Sequence, residues 1–205
     1  MTKNDVKILS MRDPLPEGYL EVNCTSRAKD WGKGLSPFKL GPIPLYWDKE
    51  AALMENAWQF AKVYQAHVDE HGLPTQAYWD WAKEGWADTR AHRYPMGKGA
   101  KPLYSLWAGK MLPYIEARKV IYSPLYSRAV RKTEAFKALV EACEKGPVAI
   151  RDFDGYDHDA LGMSLDEVVD CESKKQGHAF VLKMMLLGRD DLTGEFNGQE
   201  ADGNS

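Results

Sequence analysis

The sequence predicts a single α+β domain, rich in helix and carrying a few short strands. Three observations predict it. A chain of 205 residues can bury one sizeable core but is short for two. Several stretches repeat apolar residues at helical spacing, the clearest at 51–71, 133–146 and 178–187. Runs with strand character are short and few, at 19–24, at 45–47 and from Val148 onward.

Composition sets the first limits. The chain is 44% hydrophobic and 28% charged, as globular proteins are, and its net charge of −3 gives no overall pull toward nucleic acid. The three cysteines, Cys24, Cys143 and Cys171, are odd in number and lack any CxxC spacing. Neither a disulfide framework nor a metal site is therefore expected, and a cytoplasmic location fits. No cofactor is expected either. The first residues lack the apolar run of a signal peptide, and no stretch is long and apolar enough to span a membrane. Seven Trp and ten Tyr are many for this length, and aromatics both fill cores and line sites that stack flat rings.

Along the chain, residues 1–19 read as a leader, since Pro14 and Pro16 discourage helix. Residues 19–24 alternate as a short strand. A polar loop and a proline-broken connector follow, then a second short strand at 45–47. Residues 51–71 read as one long helix with Asp48 as a possible N-cap and Gly72 at its end. A further helix is expected at 75–89, a basic Gly/Pro loop at 90–102 and a helix at 103–119 bent at Pro113. Residues 120–122 fit either a strand or a helix start, and Pro124 suits the first turn of a helix. The stretch 133–146 is strongly amphipathic, with Phe136, Leu139, Val140 and Cys143 inward. Ser164 and Glu167 form a capping box for a short helix at 163–171, and 178–187 is a core helix. Residues 189–205 are acidic and Gly-rich and are expected to be a disordered tail.

Three stretches carry candidate chemistry. On the long helix, Glu55, Gln59 and Lys62 fall at i, i+4 and i+7, opposite the core face of Leu53, Ala57, Phe60, Ala61, Tyr64 and Val68. Such a stripe is ordinarily solvated, but Met54 and Trp58 flank it, which is unusual for a wet face. The loop 90–102 carries Arg90, Arg93, Lys98 and Lys101 among glycines and prolines, a composition suited to phosphate. It lacks the Walker A spacing. The strand from Val148 runs into Asp152-Phe153-Asp154-Gly155-Tyr156. That D-x-D-G is similar to the nucleophile motif of the haloacid dehalogenase family, but too few strands follow to build that domain. A solvated acidic turn or an oxygen-rich cation site also fits these aspartates.

Taken in order, these pieces resemble the NADAR family, the NAD- and ADP-ribose-associated domain, as a divergent member covering residues 20–188. Leu35-Ser36-Pro37-Phe38 is similar to the family's L-S-N-F, and Glu55 to Lys62 to its E-H-x-x-Q-x-x-K helix. The acidic–aromatic segment at Asp152–Tyr156 and the closing helix at 177–185 complete the likeness. The resemblance implies an N-glycosidase, a hydrolase acting on ADP-ribosyl or ribosyl-phosphate compounds, with a nucleotide-like or ADP-ribosylated substrate that includes ADP-ribosylated nucleic acid. Glu55, Lys62, Asp152 and Asp154 then become the catalytic candidates. Ser36, Phe38, Trp58, Gln59, Arg90, Arg93, Tyr156 and His178 become the substrate-binding ones. Two other classes stay open: a non-catalytic nucleotide or ADP-ribose binder, and a small structural or interaction protein.

Overall fold

The computed structural model describes residues 5–194. The chain opens with two strands, β1 (Val6–Leu9) and β2 (Leu20–Asn23), then a 3₁₀ turn at Trp31–Leu35. A hairpin of β3 (Ile43–Pro44) and β4 (Glu50–Ala51) leads into helix α1 (Met54–Gln59). Strand β5 (Lys62–Val63), a 3₁₀ turn at Gln65–His67 and helix α2 (Gln76–Ala87) follow. The hairpin β6 (Tyr104–Trp107) and β7 (Lys110–Leu112) precedes a helical run of α3 (Tyr114–Ala117), a π turn at Arg118–Tyr122 and α4 (Ser123–Arg131). The chain continues through α5 (Glu134–Lys145), β8 (Val148–Arg151), α6 (Leu165–Asp170), α7 (His178–Leu186) and α8 (Asp190–Thr193). One contiguous apolar core joins these elements into a single mixed α/β domain. No helix among the described residues is long and apolar enough to cross a membrane.

The first sheet fixes the framework. Its order is β1-β8-β2, both pairings parallel, with Val148 level with Val6 and Leu20, and Arg151 level with Leu9 and Asn23. All four residues of β8 are buried, as expected of a central parallel strand. This corrects the leader expected at 1–19. Pro14 and Pro16 do break helix, but Val6–Leu9 lies before them and needs only a partner edge, which β8 supplies from the far end of the chain.

The long helix expected at 51–71 is not there either. Only Met54–Gln59 is helical, and all six residues are buried, so the helix has no wet face. Its first free N–H groups are taken by main chain rather than by Asp48: Met54 donates to the Leu40 carbonyl (2.8 Å) and Glu55 to that of Pro37 (3.0 Å). The helix stops because Lys62 and Val63 pair antiparallel with Ser105 and Tyr104 in the sheet β5-β6-β7. Likewise, 45–47 is not a strand but the turn region between β3 and β4, with Trp47 at φ 54°. The helix expected at 103–119 is replaced up to Pro113 by the β6–β7 hairpin, whose turn residues Ala108 and Gly109 both have positive φ (46° and 80°), the pattern of a tight two-residue turn. Residues 120–122 belong to the π turn. Pro124 accounts for it: proline offers no N–H and its ring collides with the carbonyl four residues back, and widening the preceding turn relieves both.

Where the signals are local, the expectations hold. Thr133 caps α5 by accepting from Phe136 N, Ser164 and Glu167 form the reciprocal capping box of α6, and α7 is buried along nearly its whole length. Thr75 occupies the N-cap position of α2, but its hydroxyl donates to the His67 carbonyl instead of capping. Within the tail expected at 189–205, α8 is ordered against α4 and α7, and Arg189 bridges Asp166; residues 195–205 lie outside the described residues.

Gly85 joins α1 to α2. A Cβ there would overlap the Phe60 ring, which lies across the helix at this point. Although alanine is the better helix former, Gly85→Ala is expected to lower stability by about 1–3 kcal/mol through overpacking. Urea denaturation checks it, and Phe60→Leu in the same chain should recover part of the loss.

Candidate functional site

A cavity of about 710 Å³ opens where α1, the loop 93–102 and the carboxyl end of the parallel sheet meet. Its floor is α1. Glu55 and Gln59, 6% and 8% exposed, lie one turn apart, and Gln59 Nε2 donates to Glu55 Oε1 (2.9 Å). The backbone leaves the helix at Phe60, yet the side chain of Lys62 returns to the same place. Its Nζ donates to Gln59 Oε1 (2.7 Å) and lies 4.7 Å from the centre of the Trp58 ring. A carboxyl, an amide and an amine are thus joined in one hydrogen-bonded chain.

Burial sets the electrostatics of this chain. It pushes the Glu55 carboxyl above the usual carboxylate range, and the Gln59 hydrogen bond and the Lys62 charge pull only part of the way back. It brings the Lys62 ammonium down to about 8, with Glu55 opposing and Lys175 adding to the shift. An amine with a lowered pKa and a carboxyl with a raised one therefore share one floor.

The second wall comes from strand ends. Asp152 follows β8, is 3% exposed and faces His178, the first residue of α7, with Oδ2 3.2 Å from Nδ1. His178 Nε2 donates to the Cys24 carbonyl (2.8 Å). Asp152 approaches so closely that a Cβ on Gly177 would collide with its carboxylate, which explains glycine at that helix start. Asp154, two residues on, binds Arg93 (2.9 Å) and Lys175 (3.3 Å). Ser36, Pro37 and Phe38 complete the wall beside α1, held there by the helix-capping carbonyl of Pro37. Gln176 is buried with Nε2 on Ser123 Oγ (3.0 Å), while its Oε1 lacks a partner among the described residues.

Ten of the twelve expected site residues thus border one cavity: Glu55, Lys62, Asp152, Asp154, Ser36, Phe38, Trp58, Gln59, Arg93 and His178. Two do not. Arg90 is exposed and paired back onto Asp88, because Asn56 anchors the main chain at Asp88, Arg90 and His92 and turns Arg90 outward. Tyr156 packs on Phe180 (ring centres 4.7 Å apart) in the core, not in the cavity. Trp58 is also less available for stacking than expected, since Tyr122 and Lys62 lie against it. The exposed rings at the mouth are Tyr94, Tyr114 and Phe153, with Arg93 and Arg27 each 5.6 Å from the Phe153 ring centre. Phe153 was within reach of the sequence, as the residue between the two singled-out aspartates. Tyr114, Arg118 and Gln176 carried no such signal. Arg118 shapes the wall rather than serving the cavity: its guanidinium is taken up by the carbonyls of Val168, Val169, Cys171 and Lys174. A second, shallower groove of about 540 Å³ beside α5 and Trp31 gathers none of the expected residues.

A family model matches residues 5–161, about three quarters of the chain. The chain belongs to DUF6939, a family of unknown function. No curated protein matches it. The DUF6939 match takes in β1, the cavity floor and the aspartates after β8, and ends before His178 and α7.

Asn56 is the anchor of the loop over the cavity. It is fully buried, donates to the carbonyls of Asp88 (2.8 Å) and Arg90 (2.9 Å) and accepts from His92 N (2.9 Å). Asn56→Ala strands three main-chain groups and should cost about 2–4 kcal/mol. Amide exchange across 88–102 should quicken more than exchange in α5.

Proposed function

We propose that this chain is an N-glycosidase of NADAR type, acting on an ADP-ribosyl or ribosyl-phosphate N-glycosidic bond in a cytoplasmic setting. The observation that carries this reading is the buried Glu55–Gln59–Lys62 hydrogen-bond chain with its amine near pH 8. Cleavage requires the C1–N bond to break with its electron pair leaving on the base nitrogen. Glu55, a carboxyl kept protonatable by burial, is suited to donate a proton to that nitrogen. The neutral Lys62 amine is suited to attack C1, opening the sugar ring to a Schiff base. Water then releases the sugar and restores the amine. Asp152, beside His178, is suited to orient that water or the ribose hydroxyls. Phosphate would meet Arg93 and Lys98 at the mouth, where Gly97 and Gly99, both at φ 93°, let the loop turn its main chain inward. In the competing form of the mechanism, Glu55 alone stabilises an oxocarbenium-like sugar and Lys62 binds phosphate.

Chemistry separates the two forms. Incubation with ADP-ribosylated guanosine, ADP-ribosylated DNA and ribosylamino-pyrimidine phosphates should free a base from one of them, read by chromatography. Under the covalent route, borohydride traps the sugar on Lys62, and Lys62→Arg binds without turnover because guanidinium stays protonated. Under this route the rate at low substrate should follow a bell-shaped pH profile, because turnover needs the Lys62 amine neutral and the Glu55 carboxyl protonated at once. Partial activity in Lys62→Arg with no adduct selects the second form, and wild-type turnover in Lys62→Ala excludes both.

Arginine placement gives a further test. Arg93→Gln should weaken a phosphorylated ligand about tenfold and flatten its salt dependence, whereas Arg90→Gln, off the cavity, should leave both unchanged. Titration at two salt concentrations reads both effects.

A further inference from the structure

We propose that Cys24, Asp152 and His178 form a binding site for a borderline-soft divalent cation, Zn²⁺ foremost, at the carboxyl end of the parallel sheet. The three side chains come from three separate elements: the residue after β2, the residue after β8 and the first residue of α7. They are 0%, 3% and 7% exposed, and their donor atoms all lie within 4.8 Å of one another. Thiolate, imidazole and carboxylate together are a donor set that zinc takes, with three protein ligands and one open position in its reactive sites.

The orientation of His178 is the stronger observation. Its Nε2 meets the Cys24 carbonyl, an acceptor, so this nitrogen carries the ring proton. With no second proton on the ring, Nδ1 turns a lone pair toward the carboxylate oxygen of Asp152 (3.2 Å). Two acceptors at that distance repel unless something positive lies between them, and the choice is a proton or a metal ion. A tetrahedral cation with bonds of about 2.0–2.1 Å holds N and O ligands about 3.3 Å apart, so these two already have the spacing. The carbonyl bond to the far nitrogen is also the usual outer support of a metal-ligating histidine. Charge balance agrees: thiolate plus carboxylate neutralise a divalent ion. The guanidinium of Arg151, next in sequence to Asp152, runs away to Glu21 and the carbonyls of Ser10 and Asp13, while the Arg151 carbonyl accepts from Cys24 Sγ (3.3 Å), a bond that the cation replaces when the thiol gives up its proton. Asp152 and His178 both border the cavity, which turns the open position of the cation toward a ligand there.

The test uses the full chain and does not depend on activity. After equilibration with Zn²⁺ and removal of excess, elemental analysis should find about one zinc per chain. Co²⁺ in its place should give the visible bands of a tetrahedral ion and a thiolate charge-transfer band in the near ultraviolet. Cys24→Ser should remove the charge-transfer band, and His178→Asn should weaken Zn²⁺ about 100-fold or more, while Cys171→Ser changes neither. Because the variants alter buried positions, X-ray absorption at the zinc edge of the unaltered protein gives a second measure, with one sulfur near 2.3 Å and the remaining ligands nitrogen or oxygen. Zinc well below one per chain at saturation, a zinc shell without sulfur, or cobalt bands indifferent to Cys24→Ser would overturn the proposal and leave a proton between Asp152 and His178.

Discussion

The pairing of β8 with a strand on each side is the constraint on which the rest of the molecule depends. Because both neighbours run parallel to it and in matched register, three strand ends finish level. Asp152 and Cys24 are the residues that leave that edge, and α7 is set down against it with His178 first. Parallel sheets place ligands at such carboxyl edges because the strands stop there while the helices that follow leave a crevice. Among the described residues the sheet has three strands, and the crevice is closed from the opposite side by α1 and the start of β5, which bring the carboxyl, amide and amine of the floor. The apolar faces of β1, β8 and α7 supply much of the core beneath the cavity, so packing and site geometry share the same residues.

Polar groups inside the domain are accommodated by pairing them in chains rather than singly. Glu55, Gln59 and Lys62 form one chain, and Asp152, His178 and the Cys24 carbonyl form another. A third lies under α7, where Lys183 Nζ meets His158 Nε2 and Asp159 Oδ2, each at 2.8 Å, and His158 Nδ1 donates to the Met163 carbonyl. This third chain ties the loop after the aspartates to the core helix. An unpaired charge at such depth would cost several kcal/mol, so each chain stabilises only as a whole.

How far the sequence was legible depends on the range of each signal. The caps of α5 and α6 are written within four residues, and those elements are where they were expected. The strand β1 was not legible because its partner lies on the other side of the chain, and short runs such as VKIL have no periodicity to declare. The helix at 51–71 failed for a different reason. Its 3.6-residue pattern is real as far as Gln59, but ladder bonds between Lys62 and Ser105 outcompete continuation. The site was more legible than the fold around it. Glu55 and Gln59 do share a helix turn, and Lys62 rejoins them from a strand, so the three expected residues meet although the element expected to unite them ends early. Arg90 and Tyr156 were misplaced because composition tells which loop is basic or aromatic but not which way its side chains turn. The resemblance to NADAR remains a proposal, resting on the same floor residues.

The π turn at Arg118–Tyr122 has a consequence for how this helix tolerates change in length. A π turn holds more residues than an α turn, so the segment acts as a stored spare residue within an otherwise regular rod. Removing one residue there would let the helix revert to α geometry with little rotation of one side against the other, because five residues of π helix turn through about the same angle as four of α helix. Tyr114 would stay at the cavity mouth and Arg118 near the carbonyls at the end of α6, while α4 stayed against α7. The helix can therefore lose a residue at this one turn and keep its register, whereas a deletion elsewhere would rotate its two sides by about 100°; what returns is the clash of the Pro124 ring with the preceding turn, so the change falls on stability and not on the cavity wall.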